Sequence, residues 1–138
     1  MRDRICQVYR RFYYGCRYSK GDNCSIYERN HYPDLIQKIL TKYYEWVSNT
    51  PQDGIEECLA FDEIRDHYFW FHLGWDGKHR VQSVMVYLRI RDGKIWVEED
   101  WTKQGIVNEL LEAEVPHEDI VLGFQHPSKR PLTEFASA

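Results

Sequence analysis

The sequence predicts an α+β domain in two layers: an N-terminal helix, a four-stranded antiparallel meander, a C-terminal helix and a short terminal segment. Two apolar stripes at helical spacing, in residues 35–47 and 106–115, enclose a set of strand-like runs separated by short turns. The chain has 138 residues, 43% of them hydrophobic and 15% aromatic. This is enough for one packed core and too little for two comfortable domains.

The first helix is predicted from a stripe of apolar residues spaced three and four apart. These are Leu35, Ile36, Ile39, Leu40, Tyr43, Tyr44 and Val47. Asn30 is a candidate cap, and Pro33 suits the first helical turn, where a missing N–H costs nothing. The turn-forming residues 49–54 end the element. A helix with a single apolar face needs a sheet to cover.

Four β-rich runs follow this helix. They lie at about residues 55–63, 67–75, 80–91 and 94–100. An Asp-Gly pair at 76–77 separates the second run from the third, and another at 92–93 separates the third from the fourth. Asp-Gly indicates a hairpin, because a type I′ turn needs positive φ at both central positions. Consecutive hairpins predict an antiparallel meander.

Alternation along the third run predicts its two faces. Its aliphatic side chains, expected to meet the helices, are Val84, Val86, Leu88 and Ile90. The second run is apolar on both sides, so we expect an outward aromatic patch formed by Trp70, Tyr87 and Trp96. Exposed aromatic surface on a sheet marks a protein partner or a homodimer seam. The alternative is that a terminal segment covers the patch.

The second helix is predicted from apolar residues that again follow helical spacing. They are Ile106, Val107, Leu110, Leu111 and Val115. Asp100 and Thr102 are candidate caps, and Pro116 ends the helix. A short apolar segment at 120–124 and a proline-containing tail complete the chain.

Charge divides the chain into two parts. Residues 1–30 contain seven Lys and Arg against three Asp and Glu, a net charge of +4. Subtraction from the totals of 18 and 22 leaves 11 basic and 19 acidic residues in 31–138, a net charge of −8. An acidic surface repels phosphates, so residues 31–138 are expected to bind DNA poorly.

Residues 1–29 are interpreted as a basic, aromatic extension that is loosely held, and residues 30–138 as the domain. Basic residues interleaved with aromatic ones also suit single-stranded nucleic acid, through charge and base stacking. The candidates for this alternative role are Arg10, Arg11, Tyr13 and Arg17.

The sequence predicts no catalytic residue, no metal site and no cofactor. Glu98 and Asp100 point to one side of the fourth run, but a hard cation needs six or more oxygen ligands. No Glu-x-Lys triplet of a metal-dependent nuclease follows them. The histidines lack metal-binding spacing, and no glycine-rich nucleotide loop or nucleophile elbow is present.

Cysteine usage and hydropathy indicate a cytoplasmic protein. The four cysteines form no CxxC pair and are expected as free thiols: Cys6, Cys16, Cys24 and Cys58. No apolar run approaches the roughly 20 residues that span a bilayer, and no secretory leader opens the chain.

Five motifs occur in a particular order. They are Asp66-His67-Tyr68 and the segments at 74–80, 92–97, 115–124 and 129–136. Together they resemble the XisI-like family, the fdxN element excision controlling factors, from about Asn30 to Ala138. The resemblance implies an α+β fold and a cyanobacterial role in controlling excision of the fdxN element during heterocyst differentiation. It implies no active site.

The resemblance also implies a partner, because family members are often encoded beside a XisH-like protein that resembles an endonuclease. We therefore expect a non-enzymatic regulator that binds this nuclease, since an acidic surface is complementary to a basic DNA-binding face. The expected contact residues are the aromatic patch of Trp70, Tyr87 and Trp96 with an acidic rim of Glu98 and Asp100. The alternative is an accessory factor that binds DNA through the basic extension.

Overall fold

The structure, a computed structural model, describes residues 31–50 and 52–138. The candidate cap Asn30, the cysteines other than Cys58 and the whole basic extension lie outside the described residues. The elements in order are α1 (Tyr32–Ser48), β1 (Ile55–Asp62), β2 (His67–Asp76), β3 (His79–Arg91), β4 (Lys94–Asp100), α2 (Ile106–Glu112) and β5 (Ile120–Leu122). Single 3-10 turns lie at His117–Asp119 and Arg130–Leu132.

Within the described residues the sheet has five strands in the order β1-β2-β3-β4-β5, and its first four form the predicted antiparallel meander. The expectation of four strands is wrong at the end of the domain. β5 pairs in parallel with β4, with Ile95 opposite Ile120 and Val97 opposite Leu122. A parallel neighbour needs a crossover of a dozen or more residues, which the segment containing α2 supplies. The sheet is therefore mixed.

Both helices pack on one side of the sheet, called the helix face here. Ile36 and Leu40 of α1 are fully buried there, as are Ile106 and Leu110 of α2. The sheet residues buried in the same core cluster are Tyr68, Trp70, Val86, Leu88, Ile95, Val97, Ile120 and Leu122. Helix spacing and strand alternation thus produce one shared core. The opposite side of the sheet, called the open face here, is covered by neither α1 nor α2.

The two Asp-Gly hairpins differ in their turns. Asp92 and Gly93 both have positive φ, as the type I′ prediction requires. In the other hairpin Asp76 pairs with His79, so the loop is Gly77-Lys78 and only Gly77 has positive φ. That pattern is typical of a type II′ turn. The sequence motif is the same, but the strand register selects the turn.

Two further findings concern Cys58 and the helices. Cys58 carries a free thiol, and burial together with Glu56 and Glu57 raises its pKa. Within the described residues, no helix combines the length and the apolar character needed to cross a bilayer.

Candidate protein-binding surface

The open face carries a pair of stacked aromatic rings. Phe69 on β2 lies opposite Tyr87 on β3, and their ring centroids are 4.2 Å apart in nearly parallel planes. The Tyr87 hydroxyl and His67 Nδ1 are hydrogen-bonded at 2.7 Å, and burial raises the pKa of the Tyr87 phenol. Both rings are half-buried, so stacking fixes them while part of their surface stays accessible.

Beside the rings the face has an open depression. Ala60 on β1 lies opposite Phe69, and its small side chain leaves the space above it unfilled. The depression has a volume of about 350 Å³ and is lined by Ala60, Phe61, Asp62, His67, Phe69 and Tyr87. It can take one long side chain of a partner, because long side chains reach cross-strand neighbours.

Asp62 places a carboxylate at the edge of this depression. It accepts hydrogen bonds from the backbone N–H groups of Arg65 and Ile64, at 3.0 and 3.1 Å, and from the Arg65 guanidinium at 3.2 Å. These bonds, with that of the Arg65 N–H largest, lower the pKa of Asp62. The carboxylate therefore stays ionised beside the aromatic rings.

Trp70 does not lie on the open face, so its expected placement is wrong. It is only 4% exposed on the helix face, where its ring stacks on Tyr43 of α1 at 5.7 Å. Its indole N–H donates to Glu57 Oε2 at 2.5 Å, and the same carboxylate contacts His72. Because Trp70 lies opposite Val86 in the ladder, the two side chains share the buried side.

Trp96 lies on the open face but is covered. It is 8% exposed, and the guanidinium groups of Arg89, Arg91 and Arg130 lie 5.2–5.5 Å from its ring centroid. Arg130 comes from the C-terminal segment, and it also donates to the carbonyl oxygens of Leu122, Gly123 and Gln125. The alternative that a terminal segment covers the patch is therefore correct at this ring.

We expect Arg130→Ala to lower the free energy of unfolding by about 1–3 kcal/mol, because three carbonyl groups lose a charged donor. The indole N–H of Trp96 should exchange faster with solvent, since one of its covering groups is gone. Urea denaturation and NMR measure the two effects. Lys129→Ala, at an exposed neighbour, is the control and should change stability by less than about 0.5 kcal/mol. Equal effects of the two variants would contradict the role of Arg130.

The two carboxylates of the expected acidic rim are engaged inside the domain. Glu98 Oε1 accepts from Arg89 Nε at 2.8 Å. Asp100 accepts from the backbone N–H of Thr102 at 2.9 Å and from that of Ile106 at 2.7 Å, so it closes the turn that starts α2. The N-cap residue of α2 is Gly105 rather than either predicted candidate, and Asp100 and Thr102 hold the turn before it, since the Thr102 hydroxyl accepts from the Gly105 N–H.

Of the five contact residues expected from sequence, Tyr87 combines outward placement with an accessible ring. Sequence reasoning missed its neighbours Ala60, Asp62, His67 and Phe69, which the strand pairing brings to the same depression. The alternation of β2 puts Phe69 and Trp70 on opposite sides of the sheet. The sequence pattern predicts that the two rings are separated, but it does not predict which side the helices cover.

Other polar clusters hold the two layers together. Tyr43 donates to Glu109 of α2 at 3.3 Å, and burial with the nearby Glu109 charge raises the pKa of Tyr43 to about 12. Lys42 of α1 is also paired with Glu109. Across 31–50 and 52–138, no group of three or more His, Cys, Asp or Glu side chains is arranged to hold a metal ion.

These features define a two-layer α+β domain with a mixed five-stranded sheet, one face covered by helices and the other carrying an accessible aromatic depression. Residues 27–137 match the family model described as XisI protein, and the chain belongs to this family. The family inferred from the five motifs is thereby confirmed.

Two solved structures are similar to this chain. The crystal structure of fdxN element excision controlling factor XisI from Anabaena variabilis ATCC 29413 has 54% sequence identity and a TM-score of 0.70, covering 80% of this chain and 98% of that one. A XisI-like protein from the same organism has 36% identity and a TM-score of 0.74, covering 80% and 99%. No protein with a curated description matches significantly.

Proposed function

We propose that this chain is a non-enzymatic controlling factor for excision of a DNA element, and that it acts in the cytoplasm by binding a protein that cuts DNA. The observation that carries the proposal is the open sheet face, with the stacked Phe69 and Tyr87 rings beside the Ala60 depression. Accessible aromatic surface in a pocket is typical of protein-binding hot spots. The family membership supports the link to excision.

The net charge supports a partner that itself binds DNA. Residues 31–138 have a net charge of −8, so they attract a basic surface and repel the DNA backbone. A XisH-like nuclease, which the resemblance implies as the product of a neighbouring gene, fits this description. Masking of its DNA-binding face would let the chain control cutting without a reaction centre of its own.

The element named by the relative at 54% identity is the fdxN element. We propose the same element as the target here, with excision accompanying heterocyst differentiation in a cyanobacterium. The second candidate function is an accessory factor that binds DNA through Arg10, Arg11, Tyr13 and Arg17. The net charge of +4 in residues 1–30 favours that reading.

The test is to co-express the chain with the XisH-like protein, determine the mass of the complex by light scattering, and assay DNA cutting with and without the chain. We expect a stable complex, altered cutting by the nuclease, and no cutting by the chain alone. A variant lacking residues 1–29 should keep the complex. Loss of salt-dependent DNA affinity with that deletion, without any protein complex, would favour the accessory factor instead.

A further inference from the structure

We infer that β1 is the edge at which the partner docks, by receiving an extended basic segment of the partner as an added strand, with one Lys or Arg side chain lying over Ala60 against the Phe69 ring. The inference rests on the proposed function that the chain works by binding a protein. It adds the place of contact and the chemistry of the segment that contacts it.

The two edges of the sheet differ in their pairing. At β5 the C-terminal segment returns, and the Ala136 N–H donates to the Ile120 carbonyl at 2.9 Å. At β1, an eight-residue strand, no other strand of the described chain pairs on the outer side. A long strand edge that lacks Pro and Lys is a template for a further strand.

The backbone groups that would pair with an added strand follow from the ladder. The Gly54 carbonyl accepts from the Trp75 N–H at 2.8 Å, so alternate residues from Gly54 onward pair with β2. The N–H and C=O groups of Glu57, Leu59 and Phe61 therefore point to the free edge. Three consecutive sites of this kind give an added strand a defined register.

The net charge around β1 determines which kind of strand can pair with its free edge. Residues 53–66 contain six acidic residues and one basic residue, Arg65, a net charge of −5. A second copy pairing antiparallel about Leu59 would place Glu56 opposite Asp62, and like charges directly opposite are destabilising. A basic strand instead gains attraction along the whole edge.

The distribution of the charges along β1 also matters. The central residues Cys58, Leu59 and Ala60 are uncharged, and the carboxylates lie toward the two ends. An edge protected against all pairing carries charge or proline at its centre. The uncharged centre of β1 therefore permits pairing with another strand, and the carboxylates at its two ends favour a basic strand.

The Ala60 depression would hold one side chain of the added strand. A residue opposite Ala60 points to the open face, where a Lys or Arg side chain meets the accessible side of Phe69 and the ionised Asp62 carboxylate. Cation–π contact and ion pairing act together at such a site.

The test uses the full chain labelled with ¹⁵N and a peptide of the length of β1 that alternates Thr and Arg. We expect amide shifts and slower hydrogen exchange at Glu57, Leu59 and Phe61. Ala60→Trp fills the depression at an exposed position and should weaken binding at least about tenfold. Gln82→Trp, at an exposed position of β3, is the matched control and should leave the affinity unchanged.

Two peptide controls separate strand addition from simple attraction. The same peptide with alternate backbone nitrogens methylated cannot pair as a strand and should not bind, and a peptide alternating Thr and Glu should not bind either. Binding of the methylated peptide as tightly as the parent, shifts confined to other strands, or an unchanged affinity of Ala60→Trp would each overturn the inference.

Co-expression with the XisH-like protein separates this inference from the proposed function. We expect Ala60→Trp to lose the complex and Gln82→Trp to keep it. If both variants form the complex as wild type does, β1 is not the docking edge, and the proposed function stands. If wild type forms no complex, the proposed function is wrong and the inference falls with it.

Discussion

Trp70→Ala is expected to lower the free energy of unfolding by about 3–5 kcal/mol, the range for removing a large aromatic side chain from a core. Trp70 is 4% exposed and stacks on Tyr43, so its removal leaves a cavity between α1 and the sheet. The Glu57 carboxylate also loses its indole donor while keeping its contact with His72, and the loss of one hydrogen bond at a largely buried acceptor adds to the cost.

Trp46→Ala is the matched control for this change. Trp46 is on α1 but 69% exposed, and alanine is a better helix former, so its replacement should change stability by less than about 0.5 kcal/mol. Urea denaturation of both variants measures the difference. A loss below about 1 kcal/mol for Trp70→Ala would contradict its burial and return Trp70 to the list of partner-binding candidates.

Gly74→Ala is expected to destabilise the domain by about 3 kcal/mol or more. Gly74 has φ of +154°, and a Cβ there would lie 2.0 Å from the Gly54 carbonyl oxygen and 2.8 Å from the Ile55 Cα. These are backbone atoms at the start of the β1–β2 ladder, so they cannot move aside without breaking the pairing of Ile55 with Gly74.

Gly77→Ala provides the comparison. Gly77 also has positive φ, of +60°, but a Cβ there would meet nothing within 4 Å. Its replacement should cost only the backbone strain of a left-handed residue, about 1–2 kcal/mol. Thermal unfolding of the two variants separates backbone strain from steric overlap. If both variants lose the same stability, the close approach of the strands at Gly74 does not contribute to the free energy of unfolding.

Several of the motifs that identify the family have structural roles in this domain. Gly74 lies in the segment 74–80 and allows the close approach of two strands. Arg130 lies in the segment 129–136 and binds the carbonyl groups that follow β5. Asp119, in the segment 115–124, accepts from the Tyr32 hydroxyl of α1 at 2.5 Å. The motifs therefore account for the fold more directly than for partner binding.

Periodicity and turn motifs predict the elements and most of their order. α1 and the first four strands lie where the periodicity placed them, and the Asp-Gly pairs predicted the meander. α2 begins where predicted but ends at Glu112, before the expected stop at Pro116, and Glu114 has positive φ. The division into a basic extension and an acidic domain is likewise a property of composition. These features are local: a helix period, a strand alternation and a turn depend on residues close together in the chain.

Which aromatic rings face outward depends on how strands distant in sequence pair with one another. Counting from the pair Asp76 and His79 along a regular ladder would place Trp70 opposite Met85, but a bulge after Trp70 shifts it to Val86. Likewise, the parallel pairing of β5 and the covering of Trp96 by Arg130 depend on segments distant in sequence. Local patterns carry no information about a one-residue shift in a partner strand, and that shift determines which side chains the helices bury.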